Sequence, residues 1–307
     1  MKINKDEVCI FIPTLNEAPT IGGLVSDFRS LGFSNIFVMD GNSTDNTADI
    51  ARAAGATVRT QLGRGKGNAV IEALEMIDLP YVLMLDGDGT YLPADAEKML
   101  RPLFLGFDHV IGDRFAKAEP GSFTRLNLLG NTVLNHLFKV AHGRDLHDIL
   151  SGYRAFTMAS IHQMTLKETG FEIETEMAVE AVRKGQRVMV VPIRYMKRPG
   201  TDTKLNPIHD GVRIFSTIYR LAKMTNPIFY FGIIGLFIAL LGGISGVYVV
   251  YEWLQGIERL PLTILTVLLI TIGFQIFMFG VISDMLLAFH RETIRSIEQL
   301  QAQKPPR

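Results

Sequence analysis

Two long stretches without a charged residue limit what this chain can become. One runs from Met224 to Tyr251, 28 residues, and the other from Leu260 to Ser283, 24 residues. Each exceeds the roughly 20 apolar residues that a helix needs to cross a bilayer. A pair of membrane-crossing helices is therefore expected, the alternative being two consecutive core helices of a soluble fold. The N-terminal stretch, "MKINKDEVCIFIPTLNEA", holds an apolar run of only five residues before Pro13. That is too short for a signal peptide, so the N-terminal domain is expected to stay in the cytosol.

Residues 1 to about 112 alternate between strand-like and helix-like patterns. The apolar runs "VCIFI", "IFVMD", "ATVRT", "YVLML" and "HVIG" are separated by helical stretches over Thr20–Ser30, Thr44–Ala54, Lys66–Ile77 and Pro93–Phe104. Thr20, Thr44 and Pro93 suit helix starts. Such alternation predicts an α/β domain with a mostly parallel, doubly wound sheet. Ligands of such sheets bind beyond the carboxyl ends of the strands. Asn16 with Glu17, Asp40, and Asp86 with Asp88 all fall just past those ends. From Asp113 to Pro199 the pattern is less regular, with helices expected over Arg125–Ala141 and from near Glu174, and a strand in "RVMVVPIRY". "KRPGTDTKLNP" reads as a loop. The next segment combines Arg213, Arg220 and Lys223 with Val212, Ile214, Phe215, Ile218, Tyr219 and Leu221, an amphipathic pattern suited to a membrane surface.

Lysine plus arginine equals aspartate plus glutamate, at 31 each, so net charge does not indicate a partner. Cys9 is the single cysteine, which excludes an internal disulfide and a multi-cysteine zinc site. The most informative local pattern is "YVLMLDGDGTY", in which a buried strand closes on two carboxylates one residue apart. Like charges so placed repel and raise each other's pKa unless a cation intervenes. A divalent Mg²⁺ or Mn²⁺ shared with substrate phosphates answers that need. Asn16 and Glu17 sit in the turn after the first strand, where an amide and a carboxylate can bond a ribose or a base. For Asp40 base recognition is expected, whereas Thr44 and Asp45 suit helix capping. "GRGKGNA" lacks the spacing of a Walker A loop. It is read either as a nucleotide-approaching loop or as a structural turn.

Taken in order, "IPTLNE", "DGNSTDNT", "GRGKG", "LDGDGTY", "VIGDRF", "SGYRAF" and "FEIETEM" resemble the inverting GT-A glycosyltransferases of family 2. With two spans after the domain, the chain resembles the polyprenyl- and dolichyl-phosphate glycosyltransferases, and among them the archaeal enzymes that load dolichyl phosphate for N-glycosylation of S-layer proteins. The resemblance implies a Rossmann-like GT-A domain, a nucleotide-sugar donor, a dolichyl or polyprenyl phosphate acceptor, membrane lipids as partners, and Mg²⁺ or Mn²⁺ as cofactor. UDP-N-acetylglucosamine or UDP-glucose is the favoured donor, with GDP-mannose as the alternative. Nucleic acid is not expected as a partner. Carried over by motif, Pro13, Asn16, Glu17 and Asp40 would hold the nucleoside, and Asp86 and Asp88 the metal. Lys66 joins the donor-binding set. Arg114 and Arg125 would meet the acceptor phosphate, and Arg198 and Lys204 would lie in a loop that closes on the donor phosphates. Asp148 is the candidate for a base or an orienting carboxylate, against a structural pairing with Arg154.

These readings divide the chain into a catalytic domain over 1–205, a juxtamembrane helix over 206–225, two spans over 226–289 and a cytosolic tail over 290–307. A processive polysaccharide synthase is the competing enzyme. It expects a Q-x-x-R-W motif and more spans, yet "Arg-Trp" does not occur and Trp253 lies between the two runs. The flanks carry Arg213, Arg220, Lys223, Arg291 and Arg295, while the linker Glu252–Arg259 has one arginine against two glutamates. The positive-inside rule then places the catalytic domain and both termini in the cytosol of a multi-pass protein of the cell membrane. Two spans per chain also leave room for helix packing between protomers, as in a homo-oligomer.

Overall fold

A computed structural model describes residues 3–199 and 207–302. The chain divides into two compact units, Met1–Ile218 and Tyr219–Arg307. The first holds strands β1 (Val8–Thr14), β2 (Ile36–Asp40), β3 (Thr57–Thr60), β4 (Tyr81–Met84), β5 (His109–Ala118), β6 (Arg154–Thr157) and β7 (Val188–Tyr195). Its helices are α1 (Ala18–Ser30), α2 (Thr47–Ala53), α3 (Lys66–Leu74), α4 (Ala96–Phe104), α5 (Arg125–His142), α6 (Met158–Ile161) and α7 (Ile173–Arg183), and it includes most of α8 (Pro207–Thr225).

The strands form one sheet in the order β3-β2-β1-β4-β6-β5-β7. All pairings are parallel except those of β6, which runs antiparallel between β4 and β5. Strand order reverses at β1, so the loops after β1 and β4 diverge and leave a crevice at that point. β1 is buried along its whole length. Because successive side chains point to opposite faces, it feeds two cores. Val8, Ile10 and Ile12 pack with α1 residues Ile21, Leu24, Val25 and Phe28 on one face, while Cys9 and Phe11 pack with Ala69, Val70 and Ala73 of α3 on the other. Cys9 is thus a buried structural thiol, and burial pushes its pKa up to about 12.

Two helices of this unit show apolar side chains to solvent. On α5, Leu126, Leu129, Val133 and Val140 are exposed at helical spacing, although Leu134 and Phe138 on the other side are buried. On α8, Ile208, Val212 and Phe215 are exposed while Ile214 and Ile218 are buried. Surface helices of soluble domains present polar residues outward. The division between units falls inside α8, where the sequence pattern suggests a separate juxtamembrane segment.

The second unit contains α9 (Pro227–Leu254) and α10 (Leu260–Ala302). Pro227–Leu254 and Leu260–His290 are long and apolar enough to cross a membrane, each with mean hydropathy 2.4. Little of either is buried within the protein, 11% and 17%, which argues against core helices of a soluble fold. Gly235 and Gly273 allow the two backbones to approach, and Ser245 and Thr266 share a hydrogen bond of 2.8 Å. The expected tail from residue 290 begins as a continuation of α10, which runs to Ala302.

Candidate active site

The crevice at the strand-order reversal opens into a cavity of about 1040 Å³. Asp86 and Asp88 line it, on the loop that leaves β4. Asp88 Oδ1 accepts from the Thr90 amide at 3.1 Å and from the Thr90 hydroxyl at 2.6 Å, which fixes the turn. Its Oδ2 faces Arg198 Nη1 at 3.4 Å, and Arg198 Nη2 donates to Glu17 Oε1 at 2.6 Å. Arg198 therefore bridges the loops after β1 and β4. Asp86 Oδ1 pairs with Lys66 Nζ, which also meets Glu174 Oε1 at 2.5 Å. Burial works to lower the pKa of the Lys66 ammonium, but Asp86 and Glu174 more than offset it and hold the lysine charged. Gly152 makes room for this arrangement: a Cβ there would stand 2.5 Å from Asp86 Oδ2.

The glycine-rich stretch resolves as a packing device. The Gly67 amide donates to the Thr169 carbonyl at 2.9 Å, and any side chain at Gly67 would run into the Glu168 carbonyl. That amide is thus engaged by protein rather than held open for a nucleotide. The close approach brings the start of α3 beside the segment leading to Glu174.

Toward β2 and β3 the cavity is walled by Pro13, Thr14, Glu17, Gly41, Asn42 and Gln61. Asn16 and Asp40 are not among the lining residues. Asp40 spends both oxygens on Ser43, on its hydroxyl at 2.6 Å and its amide at 3.0 Å. The Asn16 amide donates to the Ser43 hydroxyl at 2.8 Å, and Asn16 Oδ1 accepts the Thr44 amide at 2.8 Å. Asp40, expected to recognise the base, lies outside the cavity lining and braces the local turn, because a carboxylate at the start of a tight turn finds the turn amides first. Thr44 likewise braces Asn16 instead of capping a helix. α2 starts later, at Thr47, whose amide and hydroxyl bond Asp45. Gln61 is not among the residues that the sequence singles out. It follows an exposed edge strand and carries no motif, so no sequence signal marks it.

The other end of the cavity is lined by Arg114, Ser122, Phe123 and Tyr195, by Leu126, Gly130, Asn131 and Leu134 of α5, and by Gly211 and Ile214 of α8. Arg114 makes a two-pronged ion pair with Asp148, Nε to Oδ2 and Nη2 to Oδ1 each at 2.7 Å. Burial opposes the guanidinium charge, yet Asp148 outweighs it and holds the Arg114 pKa well above its ordinary value. Asp148 does not pair with Arg154. Arg154, fully buried, donates to the carbonyls of Ser151 and Ile149 at 2.9 and 2.7 Å and meets His109 Nε2 at 3.3 Å. Arg125 is the first residue of α5, exposed and outside the cavity lining. The structure therefore does not bring it to Arg114 in the cavity. Lys204 lies outside the described residues.

Whether these groups suit a divalent cation can be judged from the donor set. Among the described residues no three His, Cys, Asp or Glu side chains are placed to hold a metal alone. Asp86 and Asp88 supply two hard carboxylate donors. Mg²⁺ and Mn²⁺ commonly use one or two carboxylates and take the rest from phosphates and water. The ion-paired cluster Glu17, Asp86, Asp88, Glu174, Lys66 and Arg198 also has two more carboxylates than cations. A divalent ion shared with a diphosphate fits both the chemistry and the charge.

A family model described as "Glycosyl transferase family 2" matches residues 9–168. "Glycosyltransferase AglJ" of Haloferax volcanii is 52% identical over 299 residues, covering 96% of this chain and 99% of that protein. "Dolichyl-phosphate hexose transferase" of the same organism is 33% identical, covering 70% of this chain and 94% of its own length. Among solved structures, glucosyl-3-phosphoglycerate synthase from Mycobacterium tuberculosis, in complex with Mn²⁺, UDP-glucose and phosphoglyceric acid, superposes with a TM-score of 0.58. At 20% identity, covering 70% of this chain and 79% of that one, this likeness establishes the GT-A fold of the first unit.

Proposed function

The chain belongs to glycosyl transferase family 2, and we propose that this glycosyltransferase moves a single sugar from a nucleotide sugar onto a dolichyl or polyprenyl phosphate at a membrane surface. One observation carries the reading. A single cavity joins the Asp86–Asp88 pair to a mouth lined by α5 and α8, the same two helices whose outer faces expose apolar stripes. A polar sugar-phosphate acceptor gives no reason for such stripes, whereas a lipid phosphate presented at headgroup level does. One relative named above, a dolichyl-phosphate hexose transferase, supports the same acceptor.

A lipid phosphate is anionic near neutral pH, so it needs no base to become a nucleophile. One of its oxygens attacks the anomeric carbon while the bond to the donor diphosphate breaks. The electron pair leaves with the nucleoside diphosphate, and the anomeric centre inverts. The chain's task is positioning and relief of repulsion between two phosphates. Asp86 and Asp88 would hold the divalent ion, which when bound neutralises the leaving diphosphate. Arg198 adds positive charge on the donor side, with Lys204 proposed to join it. Arg114 supplies charge on the acceptor side, held by Asp148. Arg125, exposed at the start of α5, is assigned to the approach of the lipid phosphate. The lipid-linked monosaccharide would feed protein N-glycosylation, and a UDP-linked sugar is the favoured donor.

Membranes carrying the chain, incubated with dolichyl phosphate and labelled UDP-N-acetylglucosamine, UDP-glucose or GDP-mannose, test this directly. Label from one UDP sugar should move to the lipid fraction as a monosaccharide and stop with EDTA. Transfer from GDP-mannose alone would move the donor assignment. Sugar release without a lipid product, or a polymeric product, would overturn the acceptor.

A further inference from the structure

Gln61 is the first residue after β3 and lines the cavity on the side of Pro13, Gly41 and Asn42. Its main chain is held at both ends. The amide donates to the Asp40 carbonyl at 2.9 Å, and the carbonyl accepts from Asn42 Nδ2 at 3.2 Å. The residue is only 5% exposed, and its Oε1 is buried without a hydrogen-bond donor. Buried polar atoms are nearly always partnered, and leaving one unmet is costly. The nearest candidates do not meet it. Asn42 Nδ2 donates to the Gln61 main-chain carbonyl rather than to Oε1, and Asp40 is itself an acceptor occupied by Ser43. The wall therefore has an unused acceptor.

The same cavity is lined by Asp86, Asp88 and Arg198, the groups assigned to the diphosphate. A nucleoside attached to that diphosphate, and lying beyond the strand ends toward β2 and β3, would put its base against this wall. We propose that Gln61 reads the edge of the donor base, Oε1 accepting a ring imide N–H while the amide NH₂ donates to the adjacent ring carbonyl. This pairing suits uracil or guanine, both of which place an imide N–H beside a carbonyl. Adenine and cytosine offer a bare ring nitrogen there, which the acceptor-rich wall disfavours. The assignment rests on the nucleotide-sugar reading and adds the residue that recognises the base.

The test measures binding by calorimetry on the detergent-solubilised full chain with Mn²⁺, using UDP, GDP, N3-methyl-UDP and base-free ribose 5-diphosphate. The wild type should bind UDP or GDP. Gln61→Leu, which removes both hydrogen bonds, should weaken the better of these about tenfold or more, and leave ribose 5-diphosphate unchanged. If UDP is the ligand, N3-methylation should cost the wild type a similar factor and cost Gln61→Leu nothing further. Equal losses for UDP and ribose 5-diphosphate, or no loss for either, would overturn the base-reading role. Should Gln61→Leu not fold, Gln61→Glu keeps the acceptor but loses the donor, and must lie between wild type and base-free affinity for the role to stand. Failure of the wild type to bind either nucleotide would instead defeat the nucleotide-sugar reading, and this assignment with it.

Discussion

Arg114 and Asp148 meet side-on, with both carboxylate oxygens 2.7 Å from guanidinium nitrogens and the carboxylate fully buried. The guanidinium carbon lies 5.6 Å from the Phe123 ring and 5.4 Å from that of Tyr195. A carboxylate so engaged is a positioning group for the arginine and is poorly placed to take a proton from substrate.

Asp148→Asn should accordingly lower kcat about a hundredfold and reduce thermal stability, since breaking a buried ion pair costs about 3 kcal/mol or more. The shape of the pH–rate profile should survive, because an acidic limb near pH ~6 would belong to the acceptor phosphate. Disappearance of that limb in the variant would make Asp148 a base after all.

Lys66→Met should release Asp86 Oδ1 from its ammonium partner. Mn²⁺ titrated into the donor-free protein and followed by electron paramagnetic resonance should then bind several-fold more tightly, although transfer falls. Asp88→Asn should show the reverse in binding and no transfer while remaining folded. Unchanged Mn²⁺ affinity in both variants would remove this pair from the metal site.

Arg154 closes the loop that carries Asp148 through the carbonyls of Ile149 and Ser151. Burial lowers its pKa to about 10, though Glu174 and Asp148 partly support the charge. Arg154→Met should destabilise the first unit by about 3 kcal/mol, as two buried carbonyls lose their donor. His109→Gln, which retains an acceptor for Nη1, should cost far less by chemical denaturation. Equal costs would mean that packing, rather than hydrogen bonding, accounts for the site.

His142 is buried on α5, and burial lowers its pKa to about 4, with a hydrogen bond to the Ile218 backbone acting the other way. Burial, followed by the Arg154 charge, likewise holds the His109 pKa well below the ordinary value. Both are neutral in the folded chain but take up protons near pH ~6.5 when unfolded. The stability this provides is complete above that pH and is lost as pH falls toward 4. For His142 alone it amounts to about 3 kcal/mol. Melting temperature measured from pH 7 to 4 should fall, and His142→Phe should flatten part of the decline.

In a Cys9→Ser background, Gln255→Cys in the linker after α9 should react with an impermeant thiol reagent added to intact cells. Ser296→Cys on α10 should stay protected until the cells are opened. The opposite pattern would invert the proposed orientation and place the donor site outside the cytosol.

Periodicity makes the elements legible in the sequence alone. Alternating strand and helix patterns, two uncharged runs and a strand closing on Asp86 and Asp88 are written in neighbouring residues, and each depends on spacings of a few positions. The choice of partners is not legible in this way. Proximity in the chain offers Arg154 to Asp148, yet Asp148 holds Arg114, 34 residues away. Asp40 stands at a strand end as if free of local partners, but it accepts from both the hydroxyl and the amide of Ser43. Nothing in "SGYRAF" announces that β6 reverses direction between β4 and β5. Gln61 has no motif at all and gains its importance from a buried oxygen without a donor. Secondary structure follows from local periodicity, which a sequence displays directly. Ion pairs and unmet hydrogen bonds follow from which loops the packed sheet brings together, and that is decided only when the chain closes on itself.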